Sequence, residues 1–304
     1  MDLSFDKVTK FYGPVIGVND VSCQVTPGIT GLLGANGAGK STLLKLASGQ
    51  LRPSLGDVRV GQHRAWSSAA KRRLGYCPDI NTFYEEMTGR EFVLAMTRLY
   101  GYSLGEARRR TEAALEEVGM SDRATRRLAG CSHGMRQRIK LAQALVNDPE
   151  VLLLDEPMTG IDPAGRHHLG ELLTRKAATG MTVLVSTHIL SELEELAERI
   201  LMIGRGRVIA TGTLPEIRRL LANEPFVVRI DCGAPRRLAA RLLEHAAVLA
   251  VEVRDEVLTV RTRQPDEFFA HVNALASEPD IEVTRLETLD AGADAVFAYL
   301  EPRA

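Results

Sequence analysis

The stretch Gly34 to Ser41, GANGAGKS, restricts most strongly what this chain can become. It follows an apolar run, GITGLLG, with strand character. It leads into KSTLLKLASG, where apolar residues recur at helical spacing up to Gly49. Strand, glycine turn and helix form the context in which GxxxxGK[ST] cradles phosphate. Glycines let the backbone curl until several N–H groups converge on one point, and a helix beginning near Lys40 adds its positive dipole end. Lys40 can reach the β- and γ-phosphates of a nucleotide, Ser41 can offer its hydroxyl to Mg²⁺, and Thr42 can steady the α-phosphate. Gly34, Asn36, Gly37, Gly39, Lys40, Ser41 and Thr42 are therefore the candidate nucleotide-binding residues.

A second run complements the first. VLLLDEP, Val151 to Pro157, has four apolar residues followed by two carboxylates. A buried strand would present Asp155 at its end, where it can hold the hydration shell of Mg²⁺. Glu156 would then face the terminal phosphate and can orient or deprotonate an attacking water. Alone, a strand ending in two acids is weak evidence; beside the glycine loop it becomes specific.

Other segments supply the frame. Residues 2–9 and 18–25 alternate like strands, and MTVLVSTH reads as another buried strand. SSAAKRRLGYCP reads as a basic helix, and the pattern from Thr88 to about Arg127 is helical. Alternating strands and helices predict a mostly parallel sheet covered by helices. Beyond Pro225 the expected order is strand (226–232), helix (235–245), strand (248–253), strand (256–262), helix (265–276), strand (281–287), the order of a ferredoxin-like fold. A short final helix is expected at AGADAVFAYL.

Charge divides unevenly. From Pro225 onward there are 9 Lys and Arg against 14 Asp and Glu; before it there are 29 against 25. An acidic tail domain argues against a nucleic-acid partner. Cys23, Cys77, Cys131 and Cys232 are scattered and form no CxxC pair, which suits ordinary reduced thiols. MDLSFDKVTKFYG lacks the basic and apolar regions of a signal peptide, and no apolar run reaches the ~18 residues of a membrane span. No direct membrane span is expected.

Between the two phosphate motifs lies CSHGMRQRIKLAQAL, Cys131 to Leu145. Here the chain resembles the ATP-binding cassette (ABC) ATPases. Ser132 and Gly134 match their LSGGQ signature, while Cys131, His133 and Met135 replace Leu, Gly and Gln. TGIDP (Thr159 to Pro163) is similar to the D-loop, His188 in STHILSELEEL matches the switch histidine, and Tyr12 matches the aromatic that stacks on adenine. The last is also what ordinary packing at a strand end would give. The likeness covers residues 1 to about 215. It implies an α/β P-loop NTPase cassette with a mixed or parallel sheet over residues 1–218 and a helical subdomain at about 80–145. A small α+β ferredoxin-like accessory domain would follow at 225–304.

The resemblance also implies the chemistry. ATP and Mg²⁺ would be bound, Glu156 would act as base, and Lys40 and His188 would stabilise developing charge. Ser132 and Gly134 of one copy would grip the γ-phosphate held by Lys40 of another, so a homodimer or heterodimer of cassettes is implied. Cys131 and His133 together could suggest a metal, but two ligands without others are too few. His167 and His168 look like solvated helix residues. Where the family usually has glutamine, this chain has Asp79, which can accept a hydrogen bond or ligate Mg²⁺ but cannot donate as an amide does. It also adds negative charge near Asp155 and Glu156, calling for compensation. Phe83, Tyr84 and Phe92 fall where the family receives a membrane subunit, and equally where a helical subdomain would pack.

SHGMRQR and GYCPD are similar to ABC-2 type transport ATPases, most of them exporters. That implies separate multi-span permease subunits as partners, and a cytoplasmic location, peripheral on the inner face of the cell membrane. The alternative is a soluble ABC ATPase acting on nucleic acid, ribosome or iron–sulfur assembly. The absence of a second cassette, of long heptads and of a basic arm in the sequence weighs against it. A regulatory binding module without hydrolysis conflicts with Lys40, Asp155, Glu156 and His188 all being present.

Overall fold

The computed structural model describes residues 1–79, 82–194, 196–213, 215–217, 225–255, 257–276, 281 and 283–288. The chain divides into two compact units, Met1–Leu214 and Pro215–Ala304.

In the first unit, β1 (Leu3–Tyr12) and β2 (Val15–Val25) form an antiparallel hairpin longer at its turn than the alternation at 2–9 and 18–25 predicts. β3 (Gly28–Leu33) and α1 (Lys40–Ala47) flank the glycine loop. β4 (Leu55–Val60) and β5 (His63–Arg64) complete a four-stranded sheet in the order β2-β1-β4-β5.

The segment SSAAKRRLGYCP corrects the helical expectation. It makes one helical turn, α2 (Ser68–Lys71), and then β6 (Leu74–Cys77). Four residues of strand are too few to reveal their period in sequence. The helical pattern from Thr88 also ends earlier than Arg127. It forms α3 (Gly89–Arg98) and α4 (Leu104–Glu117), followed by turns. Thr88 starts α3 through a reciprocal capping box with Glu91. Phe92 is buried in this region with Phe83 edge-on at 5.0 Å, whereas Tyr84 is 66% exposed.

After α5 (His133–Leu145) come β7 (Val151–Asp155), α6 (Pro163–Ala178), β8 (Thr182–Thr187), α7 (Ser191–Glu194), β9 (Arg199–Gly204) and β10 (Arg207–Gly212). The second sheet has the order β10-β9-β3-β8-β7-β6, parallel from β9 to β6 with β10 antiparallel at the edge. Its central strands are closed to solvent on both faces: Val151 to Leu154 and Val183 to Val185 are essentially unexposed. Burying each such side chain contributes about 1.5–3 kcal/mol relative to exposure. The core beneath α1 joins Leu43, Leu44 and Leu46 to Val151, Leu153, Leu184 and Leu201. Among the described residues no helix is long and apolar enough to cross a membrane.

The second unit contains β11 (Phe226–Cys232), α8 (Pro235–Leu243), β12 (Val248–Arg254), β13 (Val257–Thr262), α9 (Pro265–Ala276) and β14 (Val283–Thr288). The strands run antiparallel in the order β12-β13-β11-β14. Two helices over a sheet with β13 inserted between β11 and β12 make the split β-α-β of a ferredoxin-like fold. Its core centres on Val228, Ile230, Leu238, Leu258 and Phe268. The helix expected at AGADAVFAYL lies outside the described residues.

Candidate functional site

Parallel pairing brings four strand ends to one edge. β3 runs into Gly34, β7 ends at Asp155, β8 leads to His188 and β6 leads to Asp79. In register, Leu32 lies beside Ser186, Ser186 beside Asp155, and Cys77 beside Leu154. Residues distant in the chain thereby share the crevice at the carboxyl ends of the strands, the usual ligand position in open α/β sheets.

The loop after β3 needs its glycines for steric reasons. Gly39 has φ 107°, and a Cβ there would come within 2.7 Å of the Gly17 carbonyl oxygen. Lys40, at the first turn of α1, is only 6% exposed. Its Nζ donates to the Gly34 carbonyl at 2.6 Å and the Ala35 carbonyl at 3.2 Å. The same ammonium lies 3.2 Å from Glu156 Oε1. That oxygen is buried and, among the described residues, has no hydrogen bond of good geometry. Glu156 Oε2 accepts from His188 Nδ1 at 3.1 Å. Lys40, Glu156 and His188 are thus one contiguous group.

Glu156 stands in a strained backbone conformation, φ 49°. A non-glycine residue there costs on the order of 1–3 kcal/mol and persists only when its surroundings enforce it. Ser186 enforces it. Its Oγ accepts from the Glu156 N–H at 3.0 Å and donates to Asp155 Oδ1 at 2.7 Å. Ser186 is wholly buried and Asp155 nearly so. Sequence reading passed over Ser186; its only trace was a position two residues before His188. Ser186→Ala should lower stability by about 1–3 kcal/mol, because two buried groups lose their shared partner. Steady-state turnover at this site should fall about tenfold as Glu156 loses its orientation. Denaturant unfolding and steady-state turnover check the two effects; wild-type turnover would refute the positioning role.

Ser41 is exposed at the first turn of α1. It and Asp155 both offer hard oxygen donors, the type that suits Mg²⁺. Asp79 is exposed just beyond β6. Burial first, then Asp155, Cys77 and Asp79, push the Tyr76 hydroxyl upward, so both carboxylates act on one neighbourhood. The Tyr12 hydroxyl is 3.4 Å from Thr42 Oγ1 and its side chain is 44% exposed.

The signature residues do not join this group within one chain. Among the described residues no hydrogen bond or ion pair links Ser132 or Gly134 to Lys40, Glu156 or His188. Ser132 caps α5, its hydroxyl accepting from the Met135 N–H at 3.3 Å. A Cβ on Gly134 would meet nothing within 4 Å. His133 has a use that its type did not disclose: its Nε2 donates to the Thr159 carbonyl at 2.9 Å, and its ring lies against Gly160. The signature turn therefore braces the segment after Glu156. Cys131 donates to the Arg127 carbonyl instead. His167 is exposed, but His168 corrects the solvated reading, since its Nε2 is buried among the described residues without a hydrogen bond.

Two buried polar residues on α5 also escaped sequence reading. Gln137 and Lys140 are each 4% exposed. Burial holds the Lys140 ammonium below its ordinary range, while Cys77, Asp79 and Asp155 act in the opposite sense. Burial first, with Asp155 and Asp79 acting in the same sense, raises the neighbouring Cys77 thiol to about 12 against the opposing charge of Lys140, leaving it unreactive.

Residues 18–159 match the family model described as ABC transporter. The daunorubicin/doxorubicin resistance ATP-binding protein DrrA of Streptomyces peucetius is 35% identical, over 96% of this chain and 90% of its own length. The linearmycin resistance ATP-binding protein LnrL of Bacillus subtilis is 30% identical over 99% and 98%. A Nod factor export ATP-binding protein I of Paraburkholderia xenovorans is 40% identical over 84% of each chain. Among solved structures, an ATP-binding subunit of an ABC transporter is 32% identical with TM-score 0.65, over 73% of this chain and 93% of that one. A dimeric bacterial ABC transporter cassette shares the fold at TM-score 0.65 and 24% identity, over 70% and 98%.

Proposed function

Because this chain belongs to the ATP-binding proteins of ABC transporters, we propose that it closes on ATP with a second cassette and drives a separate, multi-span permease as an exporter. The observation that carries the mechanism is the Lys40–Glu156–His188 group at the strand ends. ATP is the substrate: its phosphates are held by the loop Gly34, Asn36, Gly37, Gly39, Lys40, Ser41 and Thr42, and its adenine by Tyr12. Ser41 and Asp155, with Asp79 nearby, would hold Mg²⁺, which would supply charge neutralisation at the phosphates.

Each residue has a defined task. Glu156, fixed by Ser186, takes the proton of the attacking water. Lys40 faces both Glu156 and the loop carbonyls, so an arriving phosphate can draw its ammonium away and free the carboxylate. While Nδ1–H of His188 donates to Glu156, Nε2 is a donor toward phosphate only as the imidazolium. Ser132 and Gly134 complete the site from the other cassette, where a capped helix N-terminus suits an anion. The two chain units, Met1–Leu214 and Pro215–Ala304, serve as a cassette and an accessory domain, the division falling four residues before the expected end of the cassette at 218. Outward transport is supported by relatives named for drug resistance and Nod factor export.

The test is a tagged Glu156→Gln protein recovered with ATP from detergent-solubilised membranes of its source cell. A co-purifying multi-span protein, lost when ATP is omitted, is expected, which would also establish the peripheral location on the inner face. Recovery with ribosomes or nucleic acid instead would overturn the transporter assignment and favour a soluble ABC ATPase.

A further inference from the structure

Helix α5, which begins at the signature residues, is pressed against the edge strand β6. Gly75 permits the approach: a Cβ there would fall 2.0 Å from the Ala144 carbonyl oxygen. Two polar side chains one turn apart on α5 then reach the end of β6 and the chain after it. Gln137 Nε2 donates to Cys77 Sγ at 3.7 Å. Lys140 Nζ donates to the Pro78 carbonyl at 2.8 Å and to the Asp79 carbonyl at 3.2 Å. Three successive residues, Cys77, Pro78 and Asp79, are therefore held from one helix.

A buried lysine is a costly choice for holding carbonyls. Taking an ammonium out of water is unfavourable unless charge and hydrogen bonds compensate. Among the described residues the hydrogen bonds of Lys140 go to backbone carbonyls and not to a carboxylate. Its ammonium nevertheless stands 3.2 Å from the main-chain carbonyl of Asp79 itself, on the side of the sheet where the strand-end carboxylates lie. Asp155 and Glu156 at the end of β7 and Asp79 beyond the end of the adjacent β6 lie there, and only Lys40 among the residues of the glycine loop opposes them. An amide at position 79 would add no charge and would bring its own donor; an aspartate does neither.

We propose that Lys140 is a positioning residue for the nucleotide site: it clamps the Asp79 segment to the signature helix and supplies the positive charge that an aspartate at position 79 requires. The inference rests on the nucleotide reading given above, and its physical half, the clamp, stands without it. One helix thereby connects Ser132 and Gly134 at its start with Asp79 through its middle.

Two measurements test it. In the nucleotide-free protein, hydrogen exchange of the peptide spanning residues 74–79 should accelerate at least fivefold in Lys140→Met and stay at the wild-type rate in Lys140→Arg. Unchanged exchange in Lys140→Met would overturn the clamp. In steady-state assays, Lys140→Met should reduce kcat about tenfold with the KM for ATP within threefold. Adding Asp79→Gln to that variant should recover most of the loss, since the amide removes the charge that Lys140 balanced. Independent, multiplicative effects of the two substitutions would overturn the charge pairing, and so would a Lys140→Arg protein as slow as Lys140→Met. If Lys140→Met does not fold, Lys140→Gln carries the kinetic comparison, keeping a donor toward the two carbonyls without the charge. A wild-type protein that hydrolyses no ATP would overturn the nucleotide reading, while the exchange experiment would still decide the clamp.

Discussion

Replacing Glu156 with glutamine is expected to lower steady-state ATP hydrolysis about a hundred- to a thousandfold while ATP binding is kept, the range for loss of a general base. The substitution preserves shape and the acceptor toward His188 but removes both proton affinity and charge. The charge matters for binding as well. Glu156 lies 3.2 Å from the Lys40 ammonium, so its neutralisation releases Lys40 toward phosphate and should favour the bound state. The strained backbone at φ 49° is retained, because Ser186 holds the main-chain N–H and not the side chain. Turnover and nucleotide affinity measured on the same preparation check this. Turnover within threefold of wild type would remove Glu156 from the chemistry; joint loss of binding and turnover would assign it to the binding site alone.

A second large effect is expected from mixing two inactive proteins. Lys40→Ala disables the phosphate loop and Gly134→Asp the signature. Each alone should hydrolyse less than about a hundredth of the wild-type rate, in the range for losing a charge-stabilising donor. Mixed in equal amounts, they should regain up to a quarter of it. In a head-to-tail pair one site receives both lesions and the other neither, so only the mixed dimer, half of a random population, carries one intact site. Gly134→Asp is chosen because position 134 has open space around its Cβ and lies in the first turn of α5, where a carboxylate favours the helix. The fold should survive, and the harm should fall on a phosphate presented by the other copy. Failure of the mixture to regain activity, with both proteins shown to pair, would return the signature residues to their own chain's site.

Local patterns carried much of this protein into view. The phosphate loop depends on consecutive residues, a buried strand before it and a helix after it, and each is written within Gly28 to Ala47. Uninterrupted apolar runs announced β7 and β8 because both faces of those strands are covered. Alternation and turn residues were enough for the element order of the second unit. The weaker readings have a common origin. LGYC is a strand only because it lies along β7, and four residues cannot declare a period. The turns after Glu117 are held by hydrogen bonds from Gly89 and Arg90 to the Arg126 and Ala124 carbonyls, contacts no helical pattern contains.

The amino-acid sequence by itself determined which chemistry is available: an ammonium on a glycine loop, two carboxylates closing a strand and a histidine closing the next. Those groups follow from residue type and near-neighbour spacing, where a few bonds set the geometry. Tertiary structure alone decided how they are poised. Ser186 reaches Asp155 across 31 positions, His133 reaches Thr159 across 26, and Lys140 reaches Pro78 across 62. Each is an ordinary residue by type, made consequential by burial beside a partner whose identity depends on strand register and on how closely a helix can approach a sheet. Such contacts are strong because water is excluded from them, and exclusion of water is a property of the packed chain, with no counterpart in the order of its residues.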